Sequence, residues 1–128
     1  MSEFVNEFPG DSWDDRLLEQ NLERLIQQSR DNLDSDQTSN DYIERQIAGF
    51  GNTTQLLITF SKGAVLTDQK LTDAALSLMV YKGRIHVQSA EAHLHPEQGT
   101  NLFFPPGDPY EIQAVDPAAV IATFMWAG

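Results

Sequence analysis

The sequence lacks cysteine and has few basic residues. Without cysteine there is no disulfide, no thiolate metal site and no cysteine nucleophile. Lys and Arg number 8 against 19 Asp and Glu, which gives a net charge of -11. Such a charge repels phosphate backbones and anionic lipid, so we expect the protein to bind neither nucleic acid nor a membrane surface. The basic side chains are also scattered along the chain rather than clustered with aromatic ones.

Long hydrophobic runs are missing as well. The longest apolar stretch, residues 117–127, is about half of the roughly 20 residues that a helix needs to cross a bilayer. Near the start, Glu3 and Glu7 stand where a signal peptide would carry Lys or Arg, and no apolar segment follows them. We therefore expect a cytoplasmic protein. At 128 residues, the chain is long enough to bury an ordinary apolar core.

Residues 1–41 are predicted to form an N-terminal helical arm and a linker. Ser12 can cap a helix that acidic residues of the first turn would favour. Trp13 and Leu17 form a small apolar patch near the predicted start. The main apolar stripe has helical spacing and predicts an amphipathic helix: Leu18, Leu22, Leu25, Ile26 and Leu33. Residues 34–41 lack apolar side chains and are rich in turn formers, which indicates a linker.

Residues 42–128 are predicted to form a β-barrel. From Tyr42 onward, short alternating runs are separated by Gly, Pro and Asn, which is typical of an all-β barrel or sandwich. Eight strands are predicted, at 43–48, 55–60, 74–81, 84–88, 91–95, 101–104, 110–115 and 120–126. Lys82-Gly83 indicates a tight turn, and the proline-rich segment 105–109 cannot lie within a central strand.

Two glycine-containing motifs resemble those of the cupin superfamily. The first has the form G-x5-H-x-H-x3,4-E-x6-G, and its spacing is found from Gly63 to Gly83. The second, G-x5-P-x-G-x2-H-x3-N, is matched by Gly99, Pro105 and Gly107. The resemblance covers about residues 42–126. It implies an all-β fold, a cupin-like double-stranded β-helix (jelly-roll) barrel, preceded here by an N-terminal amphipathic α-helix.

The resemblance also implies where cupins hold a metal, and here those residues are replaced. The four positions fall on Gln69, Leu71, Leu76 and Tyr110. Leucine has no lone pair, and a neutral amide or phenol is a poor ligand for divalent metals, so we expect no metal and no other cofactor. The barrel interior is instead expected to bind a small organic ligand through Gln69, Leu71, Leu76, Leu78, Phe104 and Tyr110. A filled barrel, in which Gln69 and Tyr110 only satisfy each other, remains an equal alternative.

A second metal hypothesis concerns residues outside these positions. Four side chains alternate and would share one face of an extended strand: Glu91, His93, His95 and Glu97. His86 on the preceding strand could join them. Against this, the barrel alignment places Leu94 inward and both histidines outward, and Pro96 interrupts the strand. A solvent-exposed strand face is therefore favoured over a metal site.

No set of catalytic residues is evident in the sequence, so the favoured hypothesis is a metal-free, non-catalytic protein. It would bind a small molecule or a protein partner in a regulatory or accessory role, and we expect a homodimer because cupin-like barrels commonly pair. The alternative, which the resemblance allows, is a metal-independent isomerase, epimerase or lyase acting on a small carbohydrate-like or carboxylic substrate. In sugar epimerases of this superfamily an inward His stands beside a Tyr. The position of His86 therefore separates the two hypotheses.

Overall fold

The computed structural model describes residues 4–5, 20–35, 42–68, 73–90 and 92–126. These residues form one helix, α1 (Leu22–Ser35), and ten strands. The strands are β1 (Phe4–Val5), β2 (Tyr42–Phe50), β3 (Thr53–Phe60), β4 (Val65–Asp68), β5 (Ala74–Lys82), β6 (Ile85–Ser89), β7 (His93–Leu94), β8 (Asn101–Phe104), β9 (Tyr110–Ala114) and β10 (Ala118–Trp126). Within these ranges, no helix has the length and apolar character needed to cross a membrane.

The strands form two sheets that enclose the main core. One sheet has six strands in the order β1-β2-β3-β10-β5-β8, and the other has four in the order β4-β9-β6-β7. Only β1 and β2 run parallel among the described strand pairs. One buried cluster contains Ile58 and Val80 from the first sheet and Ile85 and Ile112 from the second. This architecture confirms the predicted all-β jelly-roll barrel.

Alternation along the strands determines which side chains enter the barrel. On β5, Leu76, Leu78 and Val80 are buried, while the residues between them are partly exposed. On β6, Ile85 and Val87 are buried and the residues beside them lie outward. Because side chains on a strand point alternately to its two faces, each strand lines the interior with every second residue. The sequence pattern therefore translates directly into a two-layer β structure.

Helix α1 packs on the outside of the six-stranded sheet. Leu25 and Ile26 form a second cluster with Ile47, Leu57 and Ala119, which project from the sheet face opposite the barrel interior. The helix begins with a side-chain cap. In that cap, the backbone N–H of Arg24 donates to Oδ1 of Asn21 at 3.0 Å.

The predicted helix start is wrong where the predicted helix falls on described residues. A continuous helix from Ser12 would include Gln20 and Asn21, but both lie outside α1. The reason is the cap itself, because an N-cap residue adopts non-helical backbone angles to bring its side chain to the first turn. Ser12, Trp13, Leu17 and Leu18 lie outside the described residues. The division of the chain at residue 41 stays a prediction.

The eight predicted strands are all present; 101–104 has the same ends as β8, and the other seven differ by one or two residues at one or both ends. The greatest shortening is at β7, expected over 91–95 and found at His93–Leu94. Two strands were not predicted, β1 and β4. In β4, buried Leu66 lies between exposed Val65 and Thr67, but because Val65 is apolar this alternation is not visible in the sequence. Strand β4 pairs with β9, which comes much later in the sequence, and Asp68 stands opposite Tyr110.

The Lys82-Gly83 turn shows why glycine stands at the end of the first motif. Gly83 has a φ of 80°, in the left-handed region that side chains other than glycine disfavour. A Cβ at this position would also collide with the carbonyl oxygen of Pro117. Gly63, at the start of the motif, has a similar φ of 84° but open space around it. The two motif glycines are therefore required to different degrees.

Candidate ligand-binding end of the barrel

The described interior positions expected from the sequence lie in the buried cluster between the sheets. Leu76 and Leu78 come from β5, Phe104 from β8 and Tyr110 from β9. Leu76 is 2% exposed and Tyr110 is 6% exposed. Their role in ligand binding stays a prediction. Gln69 and Leu71 lie outside the described residues, and so does the expected contact of Gln69 with Tyr110.

Strand register gathers aromatic rings around Leu76 at one end of the barrel. Leu76 stands opposite Phe104 on one side and Phe124 on the other. Tyr110, from the four-stranded sheet, packs against Phe104 with ring centroids 5.2 Å apart. At the end of β10, Trp126 has its ring centroid 5.9 Å from that of Phe124 and is 37% exposed. We call this group, Leu76, Phe104, Tyr110, Phe124 and Trp126, the aromatic end.

The aromatic end offers large apolar surfaces and one phenol. A phenol can both donate and accept a hydrogen bond, and aromatic faces pack well against planar or apolar molecules. Among the described residues, the buried polar side chains are Ser29, Arg45 and Thr59, and none belongs to the barrel cluster. The described interior thus presents no charged side chain to a ligand. Polar recognition there depends on Tyr110.

The residues at the aromatic end do not fit a metal ion. Leu76, at one of the positions that the cupin resemblance implies, has no donor atom and is buried among apolar side chains. Tyr110, at another, offers only a neutral phenol. The remaining two positions hold Gln69 and Leu71 by sequence. Divalent metals in proteins are held by several imidazole, carboxylate or thiolate groups. We therefore assign no chemistry at this end to a metal.

All the histidines of the chain lie on the outer face of the four-stranded sheet or next to it. His86 on β6, His93 on β7 and His95 just beyond β7 are exposed. Leu94 stands opposite the inward-facing Val87 and so points to the inner side of the sheet as expected, yet it is 39% exposed. The reason is that β7 is a two-residue strand at the sheet edge, where little covers its inner side. Glu91 lies outside the described residues. Within the ranges described, no group of three or more potential ligands is arranged to hold a metal ion.

Charged pairs are found at the surface, away from the aromatic end. Near the Gly83 turn, Arg84 Nε donates to Asp116 Oδ2 at 2.6 Å. The hydrogen bond and charge of Arg84 lower the pKa of the Asp116 carboxyl. Both side chains are exposed. This pair fastens the loop after β9 to the turn before β6 and has no contact with the barrel interior.

Two members of the aromatic end were not among the predicted interior residues. Phe124 and Trp126 both lie in the predicted strand 120–126. Alternation from Val120 through Ala122 would have placed Phe124 on the interior face, as the structure does. The signal was therefore present in the sequence. The sequence alone does not give the strand register that sets Phe124 opposite Leu76.

Comparison with known proteins shows similarity of structure only. No protein-family model and no curated protein matches the sequence. Among solved structures, an RmlC-like cupin from Shewanella frigidimarina is 18% identical with a TM-score of 0.63, covering 72% of this chain and 82% of that one. KdgF from Halomonas sp. is 17% identical with a TM-score of 0.63, covering 73% and 86%.

A third similar structure is a domain of a regulatory protein. The Cupin_2 domain of an XRE family transcriptional regulator from Enterobacter cloacae is 8% identical with a TM-score of 0.62, covering 69% of this chain and 99% of that domain. Identities this low establish a shared fold and no shared activity. The resemblance read from the motif glycines is thereby confirmed at the level of fold. The expected pairing of two copies stays a prediction.

Proposed function

The chain has the fold of the cupin superfamily, and from that premise we propose that it is a metal-independent binding protein. Its ligand is a small, largely apolar organic molecule that carries one or two polar atoms and enters at the aromatic end. The role is regulatory or accessory rather than catalytic. Small-molecule sites of this kind are mostly apolar, with a few polar groups that fix the orientation of the ligand.

The observation that carries the proposal is the chemistry of the aromatic end. Phe104 and Phe124 flank Leu76, at a position where the cupin resemblance implies a metal ligand, and Trp126 packs against Phe124. The phenol of Tyr110 is the polar group beside them. Trp126, at the rim, is the partly exposed ring that an entering ligand would meet first. This set favours a planar or alicyclic ligand with a hydroxyl or carboxyl group.

A catalytic role is less well supported by the positions of the histidines. The alternative enzyme would use Tyr110 as acid or base with an inward His beside it. His86, His93 and His95 are all exposed, and His86 lies between two interior residues on β6, so it faces outward. Tyr110 would then act without an imidazole partner. Binding therefore requires fewer assumptions than catalysis.

The structural neighbours are compatible with a binding role. One is a cupin domain within a transcriptional regulator. A barrel of this size can thus serve as one part of a regulatory protein.

The proposal is tested by ligand-induced thermal shifts with a tyrosine variant and a matched control. The panel consists of planar aromatic and alicyclic molecules bearing one hydroxyl or carboxyl group, screened with and without EDTA. Binding to the native state raises the apparent melting temperature by mass action. Tyr110→Phe should weaken a hit by about 1 kcal/mol, roughly fivefold in Kd, because a polar atom of the ligand loses its partner.

Tyr42→Phe is the control, because Tyr42 also packs against a phenylalanine. Its ring centroid lies 5.8 Å from that of Phe60, toward the other end of the barrel. We expect Tyr42→Phe to leave the Kd of the hit unchanged. Equal effects of the two variants, or a hit that EDTA abolishes, would contradict the proposed site. Turnover of the hit by the wild-type protein would favour the enzyme instead.

A further inference from the structure

A pair of histidine rings lies in contact on the outer face of the four-stranded sheet. Strands β6 and β7 are antiparallel, with Val87 opposite Leu94 and Gln88 opposite His93. Continuing this register by one residue sets His86 opposite His95, on the same face of the sheet. Their ring centroids are 4.1 Å apart and their planes are nearly perpendicular, at 84°. The sequence indicated that His86 could join the histidines of the next strand, and the strand register shows that His95 is the one it meets.

Both rings are carried by backbone that is held in place. His86 lies between Ile85 and Val87, each of which is buried at 1% exposure in the barrel core. His95 is followed by Pro96, which is buried. A proline restricts the preceding residue to extended backbone angles. The two rings therefore stand at facing positions of antiparallel strands, with the barrel core beside His86 and a buried proline after His95.

We propose that His86 and His95 form a two-imidazole binding site for a late first-row divalent metal ion. Each neutral imidazole has one nitrogen lone pair for a metal, and the rings are near enough for both to bind one ion after small rotations. Imidazole suits Cu²⁺, Ni²⁺ and Zn²⁺, and Cu²⁺ binds most tightly in the general order of affinities. The net charge of -11 raises the local concentration of cations around the protein.

This site is bidentate, so water completes the coordination of the ion. That agrees with the absence of any cluster of three or more potential ligands among the described residues. On the side of His86 away from His95 is a depression of about 110 Å³, lined by His86 and His93 and by the polar side chains of Gln88, Glu111 and Gln113. These side chains can hydrogen-bond the water on the metal. An open site with exchangeable water also distinguishes this proposal from the buried metal position of the barrel interior.

His93 provides a matched control on the same face. It lines the depression, but its place in the register is opposite Gln88 rather than opposite either of the other histidines. All three histidines are exposed, so their replacement by alanine leaves the barrel core intact. The proposed site is also independent of ligand binding at the aromatic end, since the rings lie outside the barrel.

The experiment is isothermal titration of the full chain with glycine-buffered Cu²⁺, with electron paramagnetic resonance of the complex. We expect one tight site per chain, and nitrogen hyperfine structure from two imidazoles. His86→Ala and His95→Ala should each lower the affinity about tenfold or more and remove one imidazole from the spectrum, because a single imidazole is a weaker ligand than a chelating pair. His93→Ala should bind Cu²⁺ as the wild type does. Circular dichroism confirms that each variant is folded.

Several results would overturn the proposal. One is a wild-type protein that binds no stoichiometric Cu²⁺, which would leave the ring contact as edge-to-face aromatic packing. Another is wild-type affinity in the His86→Ala/His95→Ala double variant, which would place the copper elsewhere on the chain. A loss in His93→Ala as large as that in His95→Ala would show that the pair is not the site.

Discussion

The barrel interior and the layer beneath helix α1 are both buried, but they differ in composition. The interior cluster contains apolar side chains from both sheets, and its polar group among the described residues is the Tyr110 hydroxyl. The layer beneath α1 combines an apolar cluster with buried polar residues: Ser29 on the helix, and Arg45 and Thr59 on the sheet. The two layers lie on opposite faces of the same six-stranded sheet.

The difference indicates that the barrel supplies most of the stability and that α1 is held more weakly. Oγ of Ser29 and Oγ1 of Thr59 are buried with no hydrogen-bond partner among the described residues. A buried hydroxyl left without a partner costs about 1 to 3 kcal/mol. Arg45 does have a partner, since its Nη1 donates to Oε1 of Gln28 at 2.7 Å, and burial lowers the pKa of its guanidinium. The cost of burying these polar groups therefore offsets part of the free energy that apolar burial contributes beneath the helix.

The largest expected effect comes from truncating one leucine in each layer. Leu78 is 0% exposed at the centre of β5, and Leu25 on α1 is 7% exposed. Leu78→Ala should lower the free energy of unfolding by roughly 4 to 5 kcal/mol, because the surrounding strands cannot close the cavity. Leu25→Ala should cost about 2 to 3 kcal/mol, because the helix can shift toward the sheet. Urea unfolding followed by circular dichroism measures both values.

A larger loss for Leu25→Ala than for Leu78→Ala would reverse the comparison. It would mean that docking of α1, rather than closure of the barrel, dominates the stability of the chain. The slope of the urea transition provides a second check. It should be unchanged in Leu25→Ala if the helix stays docked, since the slope follows the surface exposed on unfolding.

An intermediate effect is expected from removing a hydroxyl beneath the helix. Ser29→Ala should raise the free energy of unfolding by about 1 kcal/mol, because it removes a buried group without a partner and alanine favours the helix. Ser77→Ala is the control, because Ser77 Oγ donates to Asn101 Oδ1 at 3.0 Å on an exposed face. We expect the control to be neutral or slightly destabilising. Destabilisation by Ser29→Ala in thermal unfolding would show that the hydroxyl is satisfied, for instance by water.

The fold could be predicted from the sequence because its signals are local. Turn glycines such as Gly83 and alternation such as that of Leu76, Leu78 and Val80 require no knowledge of distant partners. Strand β4 was missed because it is identified by its pairing with β9, which the local pattern does not contain. The helix start was predicted too early because the helical spacing of apolar residues extends to positions before Asn21. The cap, in contrast, is one hydrogen bond from the backbone N–H of Arg24 to the Asn21 side chain.

The candidate sites could be predicted only in part, because each depends on register. The motif positions placed Leu76 and Tyr110 in the interior, and both are buried there. Phe124 joins them because of its position opposite Leu76 on a neighbouring strand. His86 and His95 meet for the same reason, across β6 and β7. Spacing along one strand gives the face of a side chain, whereas its neighbours follow from how the strands pair.

The smallest expected effect concerns the polar contacts that fasten α1 to the barrel at its edge. Lys82 Nζ lies 2.6 Å from Oε1 of Glu23, and the hydroxyl of Tyr81 donates to the other carboxylate oxygen at 3.3 Å. The hydrogen bond from Lys82, more than its charge or the contact with Tyr81, lowers the pKa of Glu23. Because the Glu23 side chain is 56% exposed, its contribution to the stability of the protein is small.

The sign of the pH dependence follows from the direction of this shift. A carboxylate with a pKa lower in the folded state than in the unfolded chain stabilises the fold above its unfolded pKa, and that stability is lost as the pH falls through the folded pKa. Lys82→Gln should therefore raise the titration midpoint of Glu23, measured by NMR of its carboxyl carbon, and reduce the difference in stability between neutral and acidic pH. Asp116, whose pKa is lowered by Arg84, is the internal control and should titrate as in the wild type. An unchanged midpoint for Glu23 would mean that Lys82 does not hold α1 at this edge in solution.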